Sequence, residues 1–221
     1  MILSDFQQEI IQKTSDFVRQ TLAGAEGGHD WWHIYRVWRS AQKIAAEENA
    51  DLFTVELAAL LHDIADPKFH DGDEEIGPKM ARDFLEKQGV ELPVLEQVDK
   101  IIRNISFKNS FENPGFRSKE LAVVQDADRL DAIGAIGIAR AFNYGGFKNR
   151  QLYDPGIPPN QVLTKEEYKK SISPTINHFY EKLLLLKDLM NTTAGKRIAE
   201  ERHRFMEIYL DHFYNEWEGE L

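Results

Sequence analysis

The chain contains no cysteine, which excludes disulfides, thiolate metal sites and cysteine nucleophiles together. It also lacks any apolar run near the ~20 residues that a membrane-spanning helix needs. The opening MILSDFQQEI places acidic residues early and shows no cationic-then-apolar signal pattern. Positive charge is in short supply: 27 Lys and Arg stand against 37 Asp and Glu, a formal net charge of −10. That balance argues against a nucleic-acid-binding surface and against general affinity for an anionic membrane. It leaves room for a small phosphorylated substrate, since a pocket can be locally positive on an acidic protein. Internal repeats, low-complexity tracts and a convincing strand alternation are missing as well. A cytoplasmic enzyme or binding protein is the expectation.

What is present is helical spacing. With 42 % hydrophobic residues, the 221-residue chain can bury a sizeable core. Phe6, Ile10, Ile11, Phe17, Val18 and Leu22 recur every three to four residues and predict a helix from Ser4 to about Ala23. A second helix is predicted from an Asp30 N-cap to about Asn49, and a third, nearly all apolar, over Asp51 to Ile64 before Pro67. Further helices are expected over 76–88, 94–105 and 121–144, then two long ones over about 165–190 and 194–217. Residues 106–120 and 145–163 read as loops, the second long enough for a functional role such as a lid bearing Lys148, Arg150 and Tyr153. The expected architecture is an all-α bundle of six or more helices forming a single domain over 1–221.

Three pieces of this chain bear on chemistry. The first is HDWWH, residues 29–33. It invites comparison with the HExxH motif of zinc proteases, but His29 follows two glycines, and Asp in place of Glu shortens the general base by a methylene. The second is His62-Asp63 at the end of an apolar helix, where a charged pair is costly to bury unless something binds it. Asp66 follows close behind. The third is QDADRLDAIG, in which Asp126, Asp128 and Asp131 lie among apolar residues, so at least one must point inward. Arg129 is a surface ion-pair partner for any of them. Two histidines and two carboxylates meeting at one point would form a mixed nitrogen–oxygen metal site.

Taken together, His33 in the form HxxRV (with Arg36 and Val37), LLHDIAD, ISFKNS and QDADRLDAIGAIGIARAF resemble the HD-domain metal-dependent phosphohydrolases. The nearest subgroup in resemblance is the YedJ-like small bacterial HD hydrolases. The resemblance covers roughly residues 20–145, taken as the metal-binding core, with the helices of about 165–217 packing on it. It implies an all-helical fold and metal ligands at His33, His62, Asp63 and Asp128, with Asp126 as the alternative to Asp128. It also implies that Asp66 positions the attacking water. Lys68 and Lys108 are the candidate cations for a developing phosphoryl charge, with Arg129 and Arg36 behind them. His70 is a candidate for a second ion. The implied cofactor is a divalent ion, with Mn, Mg, Fe, Co or Ni favoured over zinc by the donor set.

The implied reaction is hydrolysis of a phosphomonoester or phosphodiester bond in a small phosphorylated molecule, a nucleotide above all. The alternative is a non-catalytic metal- or nucleotide-binding sensor domain. No nucleic-acid or membrane partner is expected, and a homodimer is compatible with the chain.

Overall fold

A computed structural model describes residues 3–24, 30–65, 73, 75–105, 115–160 and 173–220. Every regular element among these residues is helical, as the spacing predicts. Internal packing divides the chain into two compact units, one of Met1–Asp128 with Asn191–Gly195, the other of Arg129–Met190 with Lys196–Leu221. The single domain expected from the sequence made no such subdivision.

The first unit is built around α3 (Leu52–Leu61), which packs on α1 (Asp5–Thr21), α2 (Trp31–Glu48) and α5 (Leu92–Asn104). Every residue of α3 from Phe53 to Leu61 is buried. The one-sided pattern of a surface helix is therefore absent from its sequence, as expected for a helix enclosed on all sides. Its buried carboxylate, Glu56, accepts hydrogen bonds from Trp38 Nε1 at 2.7 Å and Gln42 Nε2 at 2.8 Å, so its desolvation is offset. The first three helix starts have a local cause. Ser4 and Gln7 form a reciprocal capping box on α1, and Asp30 and Asp51 accept from the backbone N–H groups of His33 and Thr54. Asn49 ends α2 in the left-handed region at φ 54°. Helix α4 (Ile76–Lys87) packs on α5, and Phe84 stacks on Phe17 of α1 at 4.2 Å between ring centres.

The sequence predicts one helix over 121–144, and the structure shows two: α6 (Lys119–Asp131) and α7 (Gly134–Phe147). The break follows from Gly134, which sits at φ +76°, where a side chain is strained; an added Cβ would also lie 3.0 Å from Arg202. Asp131 pairs with Arg140 nearly two turns into α7, locking the corner. A single helix over 121–144 leaves no place for this left-handed turn at Gly134.

The helix expected over 165–190 is also different where it is described. After a turn at Thr175–Ile176 comes α8 (Asn177–Glu181), and then a 3₁₀ helix over Leu183–Leu189. In a 3₁₀ helix residues three apart line one edge, and Leu183 and Leu186 are the buried pair. Helix α9 (Thr193–Glu218) matches the last predicted helix to within a residue. In the second unit α9 and α7 share an aromatic cluster in which Phe142, Phe179, Tyr209 and Phe213 lie 6.1–6.5 Å apart where they pair. Residues 151–160 are tied down rather than loose. The backbone N–H groups of Thr175 and Ile176 donate to the carbonyls of Gln151 and Leu152, and Asn177 Nδ2 donates to the carbonyl of Ile157. That lacing opposes a freely opening lid over this stretch.

His178 in α8 is held neutral: burial first, then the nearby Lys182 and Arg150 charges, push its pKa down to about 4. The unfolded chain has the ordinary value near 6.5, so between these values the unfolded state binds more protons. The stability attached to this group is therefore fully present above pH ~6.5 and is lost as pH falls towards ~4, a loss of roughly 3 kcal/mol. Urea unfolding of wild type and His178→Gln across this window tests it. The wild-type midpoint should fall more steeply with acid than that of the variant.

Candidate metal centre

Helix α2 and the end of α3 bring two histidines together. Asp30 caps α2 through the His33 backbone N–H at 2.9 Å, which fixes where the first turn lies and buries the His33 ring. His62 is the C-cap of α3 and keeps helical backbone angles. Its Nδ1–H donates to the carbonyl of Ala59 at 2.9 Å. That bond sets the tautomer and leaves the Nε2 lone pair facing the site, the usual arrangement behind a ligating histidine. The two rings meet edge to face at 5.4 Å.

Asp128 of α6 completes the group. Its Oδ1 lies 3.6 Å from His33 Nε2 and 3.9 Å from His62 Nε2. One donor atom from each of the three residues falls within 4.8 Å of the others. Bonds of about 2.0–2.2 Å to one ion would hold donors no more than roughly 4.4 Å apart, so this set needs little contraction to share an ion. The donor chemistry fits as well, with two imidazoles and a carboxylate. The site also has a dry side and a wet side: the histidine side chains are 3 % and 4 % exposed and that of Asp128 is 40 % exposed. Open coordination positions on the wet side are what a substrate oxygen and water would need.

The other expected residues fall differently. Asp63 is half-buried beside His62 but does not join the three-residue donor group. Asp126 is fully buried and engaged elsewhere. It accepts from the backbone N–H of Asn191 at 2.8 Å, from Asn191 Nδ2 at 3.0 Å, and from both the N–H and the hydroxyl of Thr192 at 2.7 Å. Arg129 donates to the carbonyl of Leu189, and Arg36 is half-buried. Asp66, Lys68, His70 and Lys108, like His29, lie outside the described residues. Sequence reasoning missed the Ala59 carbonyl and the role of Asp126. The first is a backbone acceptor, which any residue could supply. The second depends on a partner segment 65 residues away.

Comparison with known proteins agrees with the geometry. The HD domain family matches residues 31–133, a span that contains all three donors. The chain belongs to the HD-domain superfamily of hydrolases. It is 42 % identical over 195 residues to the uncharacterized protein YpgQ of Bacillus subtilis (strain 168), covering 86 % of this chain and 85 % of YpgQ. An HD-superfamily hydrolase from Bacillus thuringiensis superposes with a TM-score of 0.78 at 46 % identity, over 96 % of this chain and 99 % of the other. The crystal structure of B. subtilis YpgQ in complex with ADP superposes with a TM-score of 0.73 at 37 % identity, over 96 % of each chain. This HD-superfamily chain is thus YpgQ-like along nearly its whole length, with an all-helical HD-domain bundle.

Proposed function

We propose that this chain is a divalent-metal-dependent phosphohydrolase acting on a small nucleotide, of the YedJ-like kind within the superfamily. The observation that carries the reading is the convergence of His33, His62 and Asp128 with donor separations that suit one ion. These three are the proposed ligands, with Asp63 as the fourth. Mn, Mg, Fe, Co and Ni suit the mixed donors better than zinc, which favours closed tetrahedral sites. A bound ion would polarise a phosphoryl oxygen and acidify a coordinated water. His62 keeps Nε2 as the ligand atom because its Nδ1–H donates to the Ala59 carbonyl. Asp66 accepts the proton of the attacking water, and Lys68 and Lys108 stabilise the charge that grows on the phosphoryl oxygens. Support for a nucleotide comes from the related YpgQ, whose structure was obtained in complex with ADP. The acidic chain disfavours long polyanions for the same reason it disfavours DNA.

The test is a hydrolysis screen on metal-stripped protein reloaded with Mn²⁺ or Mg²⁺, against nucleoside mono-, di- and triphosphates and simple phosphoesters. Turnover of a nucleotide that needs the added ion, and that falls on Asp66→Asn, is the expected result. An ion-loaded protein inert to the whole panel would remove the enzymatic reading.

A further inference from the structure

Helix α9 presents an apolar stripe to solvent that the proposed chemistry does not use. Phe205 is 49 % and Ile208 53 % exposed, and the two stand about one turn apart on the helix. Arg197, Glu201, His212 and Glu216 are exposed too. At about 100° per residue, all six positions fall on one stripe some 100° wide. Phe205 also borders a shallow surface groove with Ile136, itself 43 % exposed.

We propose that this stripe is a homodimer interface, in which α9 of two copies pack antiparallel about a two-fold axis between Phe205 and Ile208. The charges along the stripe argue for this occupant. An axis placed at the apolar centre sets Phe205 against Ile208 of the partner subunit. With no further choice, it sets Glu201 against His212 of the partner subunit and Arg197 against Glu216 of the partner subunit. Each pairing occurs twice, as an isologous contact requires. A parallel arrangement would instead place Arg197, Glu201 and Glu216 each against its own copy. Glu201 and Glu216, one on either side of the apolar centre, also disfavour an anionic bilayer as the occupant. The stripe from residue 197 to 216 is about 30 Å long and one helix wide, at the small end of specific interfaces, so micromolar association is expected.

Sedimentation velocity of the full chain from about 1 to about 100 µM tests the proposal. Wild type should move from monomer to dimer with concentration. Phe205→Glu with Ile208→Glu should remain monomeric throughout, with unchanged helicity by circular dichroism because both positions are exposed. Glu201→Arg alone should weaken association severalfold, and Glu201→Arg with His212→Glu should restore it. A wild type that stays monomeric, a Phe205/Ile208 variant that still dimerises, or a double charge exchange no better than Glu201→Arg overturns the proposal.

Discussion

Asp126→Ala is expected to lower the unfolding free energy by about 3–5 kcal/mol, a large share of the roughly 5–15 kcal/mol available to a folded domain. Asp126 is wholly buried and its two oxygens accept from four donors on Asn191 and Thr192. Thr192 in turn caps α9 by accepting from the Gly195 N–H at 2.9 Å. The carboxylate thus stands at the positive end of α9, where a negative charge is favourable. Alanine would leave the two buried Thr192 donors unpaired, each costing about 1–3 kcal/mol, would remove the acceptor of two half-buried Asn191 donors, and would open a small cavity beside them. The packing is tight enough that a Cβ on Gly195 would lie 2.3 Å from Asp126 Oδ2. Asp126→Asn keeps the shape but turns an amide N–H₂ towards other donors, so an intermediate loss is expected. Urea unfolding at neutral pH measures both. A shift below about 1 kcal/mol for Asp126→Ala would refute this assignment of the buried aspartate.

Asp128→Ala should show the opposite signature: hydrolysis down by at least about 10³-fold, with stability changed by no more than about 0.5 kcal/mol. Its side chain is 40 % exposed and its recorded partners are the two imidazoles, so the fold has little at stake there. His62→Ala should lose as much activity and somewhat more stability, because its ring is buried and bonded to Ala59. Steady-state rates on the substrate found in the screen, set beside unfolding curves for the same proteins, separate the two aspartates. On the proposed function, one is expected to act on the fold and the other on the reaction, though they are two residues apart in sequence. Equal activity losses with equal stability losses for both would leave no case for a special role of Asp128.

The helices were legible because burial imposes a period on the sequence, and α1, α2, α3 and α9 lie close to where their apolar residues predict. The α6–α7 corner was not legible, since Gly134 can serve a helix interior or a left-handed turn, and the choice rests on Arg202 far along the chain. The tighter winding of Leu183–Leu189 was hidden for a related reason. Four leucines in a row specify burial but not the winding that achieves it. In the site, residue type and the family resemblance pointed to His33, His62 and Asp128, and the structure brings these three side chains together. Choosing between Asp126 and Asp128 needed knowledge of what each side chain touches. Both are acidic, both sit in α6, and the more buried one turns out to be bound by Asn191 and Thr192.

The most direct test of the account is a calorimetric titration of Mn²⁺ into metal-stripped protein. One ion per chain is predicted, bound at micromolar affinity or tighter. That binding should be nearly abolished by Asp128→Ala and by His62→Ala, and retained by folded Asp126→Asn. Wild type binding no more Mn²⁺ than Asp128→Ala would contradict the metal centre itself.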